Sequence, residues 1–169
     1  MIILLELLLF LIASIIGTLG HYLYKLSDNS SIVGFFFARN ESTFEHLKLG
    51  ITPILILSIV EKIRLLNNNL LSIKGIQILI FSLIIIIFYY GKKLFFKKNN
   101  AIYNITLFYL ALFISYVVSF ILINMVSIPI TIKIIGILYI LLFIFLYCYS
   151  SLFELNWFIF KDPLNQSKD

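Results

Sequence analysis

Two histidines and two glutamates in this chain carry the side chains that metal binding or general acid–base catalysis requires. Imidazole nitrogens and carboxylate oxygens together suit Zn, Fe or Mn, and without a metal the same groups can move a proton. A lysine follows them, and the stretch NESTFEHLK holds most of the set just where an apolar segment begins. The residues are His21, Glu41, Glu45, His46 and Lys48.

We expect these residues to form one polar site near the end of the first apolar segment. Glu45 and His46 are the two candidates for a general base at this site. No HExxH or similar spacing is present, so the pattern does not identify a metal, and a divalent ion (Zn, Fe or Mn) remains one hypothesis. The expected binding residues are His21, Tyr24, Glu41, Glu45, His46 and Lys48, and the candidate metal ligands are His21, Glu41, Glu45 and His46.

Helix capping is the alternative interpretation of the same stretch. Asn40 can cap a helix whose first residue is Glu41, and Ser42 with Glu45 has the S-x-x-E spacing of a capping box. A cap does not explain His46, and Lys48 opposes the helix dipole unless it pairs with Glu45 or extends to the membrane interface. On a helix with about 100° per residue, Glu45 and His46 point in different directions.

Composition places these residues in a membrane protein. The chain has 169 residues, of which 62% are hydrophobic and only 12% charged, and its mean hydropathy is +1.07. Basic residues flank apolar segments, so we expect no nucleic-acid partner. The prediction is an all-α bundle of five membrane-spanning helices in a single membrane domain, residues 1–169, without a soluble domain. The predicted spans are residues 2–23, 47–63, 73–90, 102–126 and 130–153, each near the length of about 20 residues that crosses a bilayer.

The basic residues in the loops predict an orientation in the membrane. With the N-terminus outside and the C-terminus inside, nine basic residues lie inside against four outside. The lysines near residue 95 are also expected to contact anionic lipid headgroups. The inner set is Lys25, Arg39, Lys48, Lys92, Lys93, Lys97, Lys98, Lys161 and Lys168, the outer set is Lys62, Arg64, Lys74 and Lys133, and the headgroup set is Lys92, Lys93, Lys97 and Lys98.

Because successive spans cross the membrane in opposite directions, the order of the five spans also predicts which helix ends share a membrane face. The end of span 1, the start of span 2 and the end of span 5 must lie together. At the opposite face we expect ordinary loop chemistry, with Glu6 reaching the interface. Glu154 and Asn156 could complete the polar site or mark the membrane exit.

The ordered motif from Gly17 to Pro53 resembles an uncharacterised family of small multi-pass membrane proteins, found mostly in Firmicutes. That family carries a Gly-x-x-x-His-x-x-Tyr element in its first span. Its second span opens with Asn-Glu-Ser-x-Trp-Glu-His-x-Lys-Leu, followed by a proline, and this chain resembles it in both elements. Phe44 stands where the family has tryptophan, and the stretch FKDP resembles its ending. The resemblance implies a five- or six-span bacterial membrane protein, implies no reaction, and favours a site over a cap. The matching residues are Gly17, His21, Tyr24, Asn40, Glu41, Ser42, Glu45, His46, Lys48, Leu49 and Pro53.

Three functional hypotheses follow. The first is a polar site that binds or permeates a small polar solute, an ion or a lipid headgroup. The second is a membrane-embedded enzyme, with or without a metal, that acts on a lipid or isoprenoid. The third is an accessory subunit whose NESTFEHLK end docks a protein partner, and a second copy of the chain is also left open.

Overall fold

The computed structural model describes residues 2–95, 101–153, 155 and 157–161. These residues form helices and contain no strand, which confirms the all-α prediction. The helices are α1 (Ile2–Leu26), α2 (Ser31–Phe36), α3 (Thr43–Leu65), α4 (Leu70–Phe95), α5 (Ala101–Ile123) and α6 (Ile130–Leu152).

Five of these helices are long and apolar enough to cross a membrane, and they indicate a multi-pass membrane protein. The predicted spans correspond to α1, α3, α4, α5 and α6, with ends that differ by a few residues. The short helix α2 was not predicted. Pro53 lies inside α3 and does not end it, as expected.

Helix α3 is the innermost of the five. Of its most apolar 18-residue stretch, 67% is buried, against 28% for α1 and 22% for α6. It packs against α1 and α4, while α4 also packs against α5 and α6, and α1 against α5. Because α3 faces protein on most sides, it can carry charged residues that lipid would exclude. This explains why the least apolar of the five helices is also the most buried.

The outer surface of the bundle is apolar. On α6, Leu138, Leu141 and Phe145 are exposed on the outside of the bundle. Soluble proteins rarely expose a continuous apolar surface of this kind. The exposed apolar side chains are therefore consistent with contact with the hydrocarbon core of a bilayer.

A glycine lets α1 approach the backbone of α3. Pro53 has no amide hydrogen, so the carbonyl of Leu49 loses its usual partner within α3. That carbonyl faces Gly17 of α1, where an added Cβ would lie 2.6 Å from the oxygen. The close approach therefore joins the two helices beside His21 and His46.

The closest helix contact lies between α4 and α6. A Cβ added to Gly75 would lie on the carbonyl oxygen of Gly136, and a Cβ added to Gly136 would lie on that of Ser72. Both obstacles are backbone atoms, which cannot rotate away. Such pairs of small residues are a common means of helix association in lipid.

We predict that Gly75→Ala and Gly136→Ala each lower the free energy of unfolding by about 1–3 kcal/mol, because the added methyl group forces α4 and α6 apart. Gly91→Ala is the matched control, since Gly91 is also in α4 and has nothing within 4 Å of an added Cβ. It should be neutral or stabilising by up to about 1 kcal/mol. The measurement is denaturant unfolding in mixed micelles, and equal effects at all three positions would contradict the packing described here.

Candidate functional site

The turn before α3 is held by two side-chain hydrogen bonds. The amide of Ser42 donates to Asn40 Oδ1 at 3.0 Å, and the amide of Glu45 donates to Ser42 Oγ at 3.3 Å. Ser42 is therefore the N-cap, and α3 begins at Thr43. The prediction that Asn40 caps a helix starting at Glu41 is wrong, because the Asn40 side chain instead forms a turn that holds Ser42.

The second half of the predicted capping box is also wrong. A capping box requires the Glu45 carboxylate to accept a hydrogen bond from the Ser42 amide, but that amide donates to Asn40 Oδ1. Instead, Glu45 Oε2 accepts from the Arg39 amide at 2.9 Å, and Glu45 Oε1 lies 2.8 Å from Lys48 Nζ. Of the two predictions for Lys48, pairing with Glu45 is confirmed and extension to the interface is wrong.

This ion pair is buried, with Lys48 0% and Glu45 4% exposed. Lys48 Nζ lies 3.5 Å from the Gly34 carbonyl of α2 and 5.0 Å from the centre of the Tyr147 ring of α6. Arg39 also donates to the Ser150 carbonyl at 2.9 Å. The pair therefore joins α2, α3 and α6, and it confirms that the end of span 5, in α6, lies beside the start of span 2, in α3.

Glu41 and the two histidines form a separate cluster, which we call the triad. His21 Nε2 lies 3.8 Å from Glu41 Oε1, and His46 Nε2 lies 3.4 Å from Glu41 Oε2. The ring centres of His21 and His46 are 5.4 Å apart. One donor atom from each residue lies within 4.8 Å of the other two. Each side chain is about one-third exposed, so the triad is open to small molecules.

The cap orients one histidine of the triad. His46 Nδ1 lies 3.0 Å from the carbonyl oxygen of Ser42, which can only accept, so this nitrogen carries the proton. In the neutral ring, Nε2 then has a lone pair, and this lone pair faces the Glu41 carboxylate. His46 Nε2 and Glu41 Oε2, two acceptors 3.4 Å apart, require a positive group that both can bind. This group is either a proton on His46 Nε2 or a metal ion.

The geometry of the triad suits a metal ion. Zinc bonds of about 2.0–2.1 Å at tetrahedral angles place ligand atoms about 3.3 Å apart. The His46–Glu41 distance of 3.4 Å already matches this separation, whereas His21 Nε2, at 3.8 Å from the other Glu41 oxygen, would have to move closer. Metal-bound histidines commonly donate their other nitrogen to a carbonyl, as His46 does to Ser42.

Glu41 is ionised over most of the pH range. The hydrogen bond from His46 lowers the pKa of the Glu41 carboxyl below its usual range, and the charges of His46, His21 and Lys25 act in the same direction against partial burial. A ligand carboxylate is therefore present without competition from protons near neutral pH.

A cavity of about 430 Å³ adjoins the triad between α1 and α5. Its wall is mostly apolar, and Thr18 and Tyr109 form a hydrogen bond of 2.7 Å across it. The lining residues are Gly17, Thr18, His21, Tyr22, Glu41, His46, Leu49, Ala101, Asn104, Ile105, Phe108 and Tyr109. Sequence reasoning missed the α5 residues, because no local pattern relates them to the histidines.

The predicted site residues thus separate into two groups. His21, Glu41 and His46 meet at the cavity, whereas Glu45 and Lys48 point into the protein, in line with the predicted divergence of Glu45 and His46. Tyr24 packs against Gly34 of α2 and does not line the cavity. Arg39, expected only as a loop charge, proves to be a partner of Glu45.

Of the lysines expected near lipid headgroups, Lys92 lies 4.0 Å from the centre of the Tyr103 ring. The side chain of Lys93 lies outside the described residues, as do the whole of Lys97, Lys98, Glu154 and Asn156 and the second half of the stretch FKDP, Asp162 and Pro163.

Comparison with known proteins identifies a family but no activity. Residues 3–166 match a family described as a family of unknown function, DUF6512. No curated protein and no solved structure shows a significant match.

We predict that Lys48→Met lowers the free energy of unfolding by about 3 kcal/mol, because it leaves the buried Glu45 carboxylate with only the more distant Arg39 guanidinium. Adding Glu45→Gln to this variant should recover most of the loss, since it removes the uncompensated charge. Lys25→Met, at an exposed position in α1, is the control and should change stability by less than about 0.5 kcal/mol. Additive losses in the double variant, measured by unfolding in mixed micelles, would argue against a mutual ion pair.

Proposed function

The chain belongs to DUF6512, a family of unknown function, and we propose that it is a membrane protein that binds a divalent transition-metal ion, Zn²⁺ first among candidates, through His21, Glu41 and His46. The observation that carries the proposal is the orientation of His46. With Nδ1 bonded to the Ser42 carbonyl, Nε2 is the nitrogen that faces the Glu41 carboxylate at 3.4 Å, and His21 adds a third donor.

The chemistry of the donors selects the class of ion. Two imidazoles and one carboxylate favour Zn²⁺, Fe²⁺ or Mn²⁺, whereas Ca²⁺ and Mg²⁺ prefer sites made of oxygen ligands. Three protein ligands leave at least one coordination position open, the arrangement of catalytic rather than structural zinc sites. The adjoining cavity gives that open position access to a small molecule.

A metal-dependent enzyme that acts on a lipid or isoprenoid is the second candidate function. The supporting observation is the cavity, whose wall is polar at the triad and also includes the apolar side chains of Leu49, Ile105 and Phe108, as an amphiphilic substrate would require. Incubating Zn-loaded protein with bacterial phospholipid and polyprenyl phosphate vesicles, and analysing products by mass spectrometry, tests it. Products formed by wild type and absent with His46→Ala would support catalysis, and identical lipid profiles would leave metal binding alone.

We further propose that residues 1–169 form one membrane domain in a bacterial plasma membrane, with the N-terminus outside and the C-terminus inside. Lys48 and Lys74 are buried and do not count as loop charges. Without them, eight basic residues lie on the inner side and three on the outer side. The excess on the inner side supports this orientation. Lysines near residue 95 would then face anionic lipid headgroups on the cytoplasmic side.

We predict near-stoichiometric Zn, Fe or Mn in wild-type protein purified without chelators, measured by mass spectrometry of the metal content. His21→Ala and His46→Ala should lose the metal, and Glu41→Gln should weaken binding by about tenfold or more. Asp28→Asn, which removes an exposed carboxylate in the turn after α1, is the control and should retain the metal. A wild type that stays metal-free after reconstitution with all three ions would exclude the metal and leave a His46–Glu41 ion pair.

We also predict that Zn²⁺ affinity falls as the pH drops from about 8 to about 5, because protons compete for the histidine nitrogens. Glu41 adds no proton competition there, because its pKa is lowered. Titration calorimetry at several pH values measures this dependence. A constant affinity between pH about 5 and about 8 would argue against histidine ligands.

A further inference from the structure

The opposite end of the bundle contains a second polar cluster, which we call the lysine cluster. It is buried and draws on four helices. Its members are Glu6 of α1, Glu61 of α3, Lys74 and Gln77 of α4, and Ser119 of α5. The expectation that Glu6 reaches the interface is wrong, because Glu6 faces inward and is 3% exposed, and the buried cluster also corrects the expectation that this end offers mainly ordinary loop chemistry.

The ammonium group of Lys74 lies at the centre of this cluster. Its Nζ atom lies 2.5 Å from Glu61 Oε2, 2.8 Å from Gln77 Oε1 and 2.9 Å from Ser119 Oγ. Three acceptors therefore match its three N–H donors. Glu6 Oε1 is more distant, at 3.9 Å from Lys74 Nζ and 3.5 Å from Ser119 Oγ. Glu61 is thus the ion-pair partner of Lys74, and Glu6 is the second carboxyl group.

Two carboxylate oxygens in the cluster have no hydrogen-bond partner. Glu6 Oε2 and Glu61 Oε1 are buried and unpaired, and so is Gln77 Nε2, whose amide is oriented by the bond to Lys74. Both carboxyl groups face the same ammonium group, with Glu61 Oε2 at 2.5 Å and Glu6 Oε1 at 3.9 Å from Lys74 Nζ. Buried polar atoms without partners are costly, so these oxygens point to a missing donor.

The net charge of the lysine cluster also indicates that a positive group is missing. Two carboxylates and one ammonium would leave a net charge of −1 in the interior of the bundle. An uncompensated charge in such surroundings is very costly and is normally removed by a proton or a counter-ion. Tyr116 of α5, whose ring centre lies 5.7 Å from Lys74 Nζ, is a further titratable side chain that faces the lysine, and it adds no positive charge.

We propose that Glu6 and Glu61 form a proton-binding site, in which one proton resides on Glu6 Oε2 and Glu61 remains the ionised partner of Lys74. The proton supplies both the missing charge and the missing donor. A metal ion suits the cluster less well, because the Lys74 ammonium occupies the centre and only two oxygens remain unpaired. Hard cations require several more oxygen ligands.

This site is separate from the proposed metal site. Glu6 and His21 both belong to α1 and are fifteen residues apart, which is about 22 Å along a helix. Protonatable carboxyl groups inside membrane proteins commonly bind and release protons as part of a pathway. The proposal therefore gives this end of the bundle a proton-binding role that does not depend on metal binding at the triad.

Infrared spectroscopy of the full-length protein in lipid nanodiscs tests the proposal directly. Wild type should show the C=O stretching band of a protonated carboxylic acid at neutral pH, shifted in D₂O and lost on titration to alkaline pH. Glu6→Gln and Glu61→Gln should each abolish the band, because the remaining carboxylate then pairs with Lys74. Asp28→Asn removes an exposed carboxylate and should leave the band unchanged.

Thermal unfolding in the same nanodiscs provides a second measurement. Wild type should lose stability as the pH becomes alkaline, because deprotonation leaves an uncompensated charge. Glu6→Gln should fold and show a much smaller loss, since the neutral amide replaces the neutral acid. Absence of the acid band in folded wild type, or its persistence in Glu6→Gln, would overturn the proposal. A Na⁺-dependent stabilisation that Glu6→Gln abolishes, without an acid band, would assign the site to Na⁺ instead.

Discussion

Every ionisable side chain inside this bundle must be neutralised by another group of the protein or by a bound proton, because hydrocarbon offers neither water nor counter-ions. Helix α3 carries the main consequences of this constraint. It provides Glu45 and Lys48 near one end and Glu61 near the other, and each of these charges lies against an opposite charge. The helix can be the least apolar span only because it is the most enclosed one. Helix α4 provides the Lys74 ammonium group beside Glu61, and α6 provides the Tyr147 ring beside Lys48.

The stretch NESTFEHLK shows that a helix cap and a polar site need not be alternatives. Asn40 and Ser42 form the cap, and the same Ser42 carbonyl receives the Nδ1 proton of His46. The cap thus sets which nitrogen of His46 faces Glu41. Its stability and the chemistry of the cavity depend on the same backbone turn, so the turn orients the triad before any ligand arrives.

The two ends of the bundle offer different chemistry. At the triad, side chains are about one-third exposed and adjoin a cavity, so an external ligand can reach them. In the lysine cluster every member is buried, and two oxygens lack partners, which suits a proton better than a larger ligand. Helices α1 and α3 contribute to both sites, and Gly17 allows them to pack closely between the two. A structural change that separates these helices would affect both sites.

The sequence by itself determined the all-α class, the five apolar helices and the group of residues from Asn40 to Lys48, because hydrophobic length and capping patterns are local properties of the chain. It also indicated that Glu45 and His46 diverge, since helical periodicity alone requires it. Only the tertiary structure decided that His21 meets His46, that Lys48 is buried beside Glu45, and that Glu6 faces Lys74. These contacts join residues from different helices, and their geometry depends on how closely the helix backbones approach, which no local pattern specifies.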